Sequence, residues 1–217
     1  MRSRFDMQLG ELNTSMLEFA SMVERAIAQA AKALEDSDEK QAKEVIKNDE
    51  EINNKEKEIE RQCLMLLLQQ QPVAGDLRLI SSALKMITDM ERIADQAADI
   101  CELVIILARQ NIASDYGPIM KMSEATQKMV TNSINAYVNK DLDLAYKVIK
   151  SDDEVDQLLM QIKSNLIEEI RKDLDTGEQA MDYLMIAKYF ERIGDHAENI
   201  AEWVVFSITG RHVQERD

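Results

Sequence analysis

The chain has 217 residues, 45% of them hydrophobic, which is enough apolar material for a core in one large or two small domains. A net charge of −15, from 41 acidic and 26 basic residues, argues against nucleic acid or an anionic lipid surface as a direct partner and favours cations and basic protein surfaces. With 6 glycines, 2 prolines and 5% aromatic residues, the turns and aromatic runs of strand-rich folds are missing, and an all-α protein is expected.

Six helical segments follow in order. The first spans about residues 6–35, with Leu9, Leu12, Met16, Phe19, Val23 and Ala26 at helical spacing. It breaks at residues 36–38, which also supply a cap for the next helix. The second runs to about Gln71 and stops before Pro72; the third runs from near Asp76 to about Arg109. Residues 110–116 read as a linker, and Pro118 stands where a first helical turn accepts proline. The fourth helix ends near Asn139 and the fifth near Asp173. A turn at 175–177 leads to the sixth, which reaches about Ile208, and the polar residues 210–217 read as a frayed tail. Long helices joined by short turns predict antiparallel bundles.

Two stretches nearly repeat 100 residues apart. Glu91-Arg92-Ile93-Ala94-Asp95 is followed by Asp99 and Glu102, and Glu191-Arg192-Ile193-Gly194-Asp195 by Asn199 and Glu202. Positions four apart on a helix share a face, with Cβ atoms about 5–6 Å apart, and like charges there repel. Something positive between the carboxylates is therefore expected. The segments 45–52 and 148–155 also match, so each half is read as helix, helix, motif helix. The domains expected are 1–111, 112–209 and a flexible 210–217.

The core stripes carry acids too. The second helix gives Val45, Asp49, Ile52, Glu56, Ile59, Cys63 and Leu66. The fifth gives Val148, Asp152, Val155, Leu159, Ile162 and Leu166, with Asp156 one turn past Asp152. The third gives Ile80, Leu84, Ile87, Glu91, Ala94, Ala98 and Cys101, flanked by Asp95 and Asp99; the sixth gives Leu184, Ala187, Glu191, Gly194, Ala197, Ala201 and Val204. Carboxylates on a seam need compensation. Either a salt-bridge lattice through Arg92, Arg192 and Lys188, or a bound hard cation such as Mg, Mn, Ca or ferric iron, would supply it. The small residues Ala94, Gly194, Ala97, Ala98 and Ala197 would let a partner helix approach closely.

His196 and His212 do not complete the Glu-x-x-His pair of di-iron bundles, and no nucleophilic triad or phosphate loop is present. The thirteen methionines, Trp203 and Phe206 read as core filling. Cys63 and Cys101 read as buried small hydrophobes in a reducing compartment. Residues 1–6 lack the apolar core of a signal peptide, and the longest apolar runs, 63–68 and 103–108, fall far short of the ~20 residues that span a bilayer. A cytoplasmic protein without direct membrane insertion is expected.

The doubled ERI(A/G)D motif, the two VIK(N/S)D(E/D)(E/D) segments and the six-helix layout resemble the PhoU family of phosphate-uptake regulators, over about residues 5–207. The resemblance implies two tandem three-helix bundles and metal ions (iron, manganese, magnesium or zinc) held by (E/D)xxxD motifs. Carried over, the ligands are Glu91, Asp95 and Asp99 in the first half and Glu191, Asp195 and Asn199 in the second, joined by Asp49 and by Asp152 and Asp156. It also implies a cytoplasmic, non-enzymatic negative regulator of phosphate uptake and of the phosphate regulon. Such a regulator would be a homodimer linking the ATPase subunit of a phosphate ABC transporter to a sensor histidine kinase. Alternatives are an accessory subunit of a low-affinity phosphate permease and, on the acid columns alone, a carboxylate-bridged di-metal enzyme. Three departures from the family pattern stand out: Asn53 where the other half has Asp156, Asn199 where it has Asp99, and Ala94 for the usual glycine.

Overall fold

A computed structural model describes residues 2–69, 73–110 and 117–213. Six helices make up nearly all of it: α1 (Arg2–Asp36), α2 (Glu39–Gln69), α3 (Ala74–Gln110), α4 (Gly117–Asn139), α5 (Leu142–Lys172) and α6 (Gly177–Thr209). No strand occurs among the described residues. The anticipated end of α2 at 71 and most of the linker at 110–116 lie outside the described residues; Gln110 itself closes α3. The turn expected at 175–177 begins earlier. Leu174–Thr176 forms a single 3-10 turn because the Asp173 carboxylate accepts from Asp175 N at 3.0 Å, and Gly177 already opens α6.

The duplication is visible in how helices end. At the α1–α2 corner Ser37 N donates to Leu34 O (3.3 Å), Asp38 N donates to Ala33 O (2.9 Å), and Ser37 takes φ +51°. At the α4–α5 corner Lys140 N donates to Tyr137 O (3.3 Å), Asp141 N donates to Ala136 O (2.9 Å), and Lys140 also takes φ +51°. Both are Schellman closures with a left-handed non-glycine residue. In both, the next aspartate caps the following helix: Asp38 Oδ1 accepts from Lys40 N and Gln41 N, Asp141 Oδ1 from Leu144 N.

The helices form two layers. α2, α3, α6 and α5 lie side by side in that order, and α1 and α4 cover one face, touching each other, α1 packing on α2 and α3 and α4 on α5 and α6. α3 and α6 run antiparallel: Arg78 meets Gly210, Lys85 lies 6.0 Å from the centre of the Trp203 ring, and Asp89 bonds His196. Being central, α3 and α6 bury more than the seam expected of them. Met86, Met90, Ile93, Ala97 and Ile100 are buried beside Ile80, Ile87, Ala94 and Cys101, and Phe190, Ile193 and Ile200 likewise on α6. A helix touching three neighbours needs apolar residues on most of its surface.

Both cysteines are free and buried, as expected, and burial pushes each thiol up to about 12. The methionines divide: Met16, Met86, Met90, Met122 and Met129 are core, whereas Met7, Met65, Met160, Met181 and Met185 are exposed. Trp203 and Phe206 are half-buried rather than core, because they face the end of α6 where the chain folds back. Gly210, at φ +76°, ends the helix and donates to Phe206 O at 2.8 Å. His212 then stacks on Phe206 with ring centres 4.4 Å apart. Residues 210–213 thus turn back onto α6 where the sequence suggested fraying; residues 214–217 lie outside the described residues.

Two acidic grooves as the candidate functional site

Each motif helix meets its neighbour along an acidic groove. In the first, between α2 and α3, Asp49, Glu91, Asp95 and Asp99 are all half-buried. Partial loss of water raises each carboxyl above its ordinary value, and their neighbours' charges add to it. Asp95, Glu56 and Asp49 act on Glu91; Asp49 acts on Asp95; Glu102 and Asp95 act on Asp99. Burial likewise raises Asp49, against a 2.9 Å bond donated by Asn53 Nδ2 to its Oδ2. Arg92 and Arg192 act on these carboxylates only from a distance, and neither closes an ion pair among the described residues.

The second groove lies between α5 and α6. Asp152 is half-buried and pushed up to about 6, by desolvation first and then by Asp195, Asp156 and Glu191. Glu191 is 8% exposed and ion-paired through Oε1 with Lys188. Asp195 keeps an open side to solvent, yet protein packed on its other side, then Glu191, raises its carboxyl, while Lys188 and His196 oppose the shift. Asp156 is exposed. Gly194 explains the closeness of α5: a Cβ there would sit 3.4 Å from both Asp152 Oδ1 and Val155 Cγ1.

The structure therefore brings together Asp49 with Glu91, Asp95 and Asp99, and Asp152 and Asp156 with Glu191 and Asp195. Asn199 is engaged elsewhere, since its Nδ2 donates to Asp89 Oδ1 on α3 at 3.3 Å. Asp89, 8% exposed, also accepts from His196 Nδ1 at 2.9 Å. The carboxylate only accepts, so this ring nitrogen carries the proton. Periodicity missed Asp89, because its partners lie on the other half of the duplication. It also missed Glu198, half-buried in the second groove and pushed up to about 7 by burial, Asp152, Glu202 and Asp195. The available signal was its position close to one turn past Asp195.

Among the described residues, four buried oxygens at the grooves have no hydrogen-bond partner: Asp49 Oδ1, Asn53 Oδ1, Asp152 Oδ1 and Glu191 Oε2. Orphaned acceptors of this kind are the donor set of a hard cation. Among the described residues no three acidic, histidine or cysteine side chains already converge on one point, so ligation would need these carboxylates to rotate inward. The donor chemistry fits a cation; the closed coordination sphere is not preformed.

Comparison with known proteins places this architecture. The PhoU domain family model matches the chain twice, over residues 16–104 and 119–204, each match ending within a motif helix. The phosphate-specific transport system accessory protein PhoU homolog of Clostridium acetobutylicum is 37% identical over 217 residues, covering 100% of this chain and 99% of that one. Its Aquifex aeolicus counterpart is 36% identical over 185 residues, covering 85% and 84%. The crystal structure of PhoU from Pseudomonas aeruginosa superposes with a TM-score of 0.92 at 32% identity, covering 95% of this chain and 100% of that chain. The phosphate transport system regulatory protein PhoU from Streptococcus pneumoniae gives 0.89 at 28% identity, over 96% and 99%. With two family matches over most of its length and relatives alike from end to end, the chain belongs to the PhoU family.

Proposed function

We propose that this protein is an accessory regulator of phosphate transport that restrains uptake and the phosphate regulon when phosphate is ample. It would act as a helical adaptor between the ATPase subunit of a phosphate ABC transporter and a sensor histidine kinase. The observation carrying this reading is the end-to-end relation to proteins named as accessory to the phosphate-specific transport system, 99% of the length of one being covered. No helix among the described residues is long and apolar enough to cross a membrane, so contact with the transporter would be made through a protein surface. Regulation rather than catalysis is the proposed role, and a homodimer the proposed state.

A di- or trivalent cation is part of the proposal. Asp49, Glu91, Asp95 and Asp99 would hold it in the first groove, and Asp152, Asp156, Glu191 and Asp195 in the second. The orphaned oxygens support this. A bound cation would supply the positive charge that the columns lack. The carboxylates of α2 and α5 would tie these outer helices to α3 and α6 and stiffen the four-helix face.

Deleting the gene in a strain without a second copy should raise regulon output, read by a phosphatase reporter, and change phosphate uptake in phosphate-rich medium. The tagged full chain should co-purify with the transporter ATPase. Unchanged output and uptake would overturn the reading; capture of a permease in place of the ATPase would replace the partner.

A further inference from the structure

We infer that Lys188 is a built-in counter-ion of the second groove and makes it the weaker of the two cation sites. This rests on the cation reading above. Lys188 stands one helical turn before Glu191, its ammonium paired with Glu191 Oε1, and its charge also reaches Asp195. One hundred residues earlier the same position is Thr88, which is exposed and turns its hydroxyl back to donate to Leu84 O at 3.2 Å. The first groove therefore has no ammonium at this place. A lysine is a compact, strongly hydrated charge on a flexible stem, suited to occupying a cation's position and to leaving it.

The acids themselves do not set the two grooves apart. The first half keeps Asp99 and Glu56 where the second has Asn199 and Leu159. The second keeps Asp156 and Glu198 where the first has Asn53 and Ala98. Each gains two acids that the other lacks; the bases differ in placement, since Lys57 of the first half acts on Glu56 from an exposed position whereas Lys188 is ion-paired with a carboxylate of its groove. Its pairing is incomplete: Glu191 Oε2 and Asp152 Oδ1 remain without partners, so an incoming cation still finds free oxygen there. To use both oxygens of Glu191 it must first displace the ammonium. The first groove carries no such ion pair among the described residues.

The test is a calorimetric titration of the full chain, stripped with chelator, with manganese(II) chloride alone. The wild type should show a tight and a weak class of site; Asp95→Asn should remove the tight class and Asp195→Asn the weak one. Lys188→Thr should tighten the weak class about tenfold, the scale of effect that neighbours of metal ligands exert. The reciprocal Thr88→Lys, at an exposed position, should weaken the tight class by a similar factor. Lys128→Thr, the same charge change on the α4 surface, should move neither. If the wild type binds manganese in two classes and neither Lys188→Thr nor Thr88→Lys shifts them, the role of Lys188 is overturned and the cation reading stands. If the wild type binds none, both are overturned.

Discussion

At the scale of single residues, Asp89 and Gly194 hold the grooves in place. Asp89 sits at the α3–α6 crossing and satisfies His196 and Asn199 at once. Replacing it with alanine leaves two half-buried donors without an acceptor, and a loss of about 1–3 kcal/mol in urea unfolding is expected. Asp89→Asn, which retains an acceptor, should lose less; equal losses would show that packing, not hydrogen bonding, matters there. Gly194 gives the opposite expectation. Its Cβ would meet α5 at ordinary contact distance, and the first half already carries Ala94 at the matching place, buried. Gly194→Ala should therefore be neutral or stabilise by up to about 1 kcal/mol through helix propensity. Gly194→Leu has no room and should destabilise the α5–α6 pair, read by the same unfolding assay. Gly194 was legible from sequence as a small residue in a doubled motif. Asp89 was not, because neither its spacing nor its own half of the chain contains its partners.

At the scale of the element, the motif helices differ from their neighbours by having two apolar stripes. A single seam read at steps of three and four found Ile87, Ala94 and Cys101 but passed over Met90, Ile93 and Ala97, which are buried as well because α3 packs against α2, α6 and α1 together. Periodicity reports how much of a helix is apolar, not which neighbours share it. Helix ends were more readable, since an aspartate after a left-handed residue carries its own local reason. The end of α6 depended on a contact that local signals do not include. His212 stacks on Phe206, and Trp203 meets both rings edge-on at 5.5 and 5.9 Å. His212→Ala should cost only about 0.5 kcal/mol, the low end for an aromatic pair at an exposed position. It should nonetheless speed amide exchange in the last turn of α6. Unchanged exchange there would mean that the Gly210 cap alone holds the end.

At the scale of the whole molecule, the grooves set the response to pH. Asp152 and Glu198 sit at about 6 and about 7 in the fold, above the ordinary carboxylate range near ~4 that the unfolded chain returns to. From about pH 4 to 7 the folded state thus holds protons that the unfolded state releases, and stability falls as pH rises through that window. Water screens both half-buried groups, so the effect should be limited to about 1 kcal/mol each. In chelator the protein should melt at a higher temperature at pH 5 than at pH 8, and manganese(II) should narrow the gap by stabilising the pH 8 form. A melting temperature that rises from pH 5 to 8 in chelator would contradict this. Glu39 has the reverse sign outside the window. Arg109 and Lys43 hold its carboxyl down to about 2, so its contribution is present above the ordinary carboxylate value and is lost only as pH falls through about 2.

The antiparallel crossing of α3 and α6 has a consequence for descent. In a duplicated chain whose copies merely sit in tandem, each copy can drift alone. Here Asp89 is completed by residues 107 and 110 positions further along, in the other copy. A change at one site is felt across the duplication, and its compensation must arise on the far side. The three groups that meet at the crossing have themselves diverged between the halves, Asp89 against Tyr189, His196 against Gln96 and Asn199 against Asp99, so the copies are joined through residues that neither one repeats.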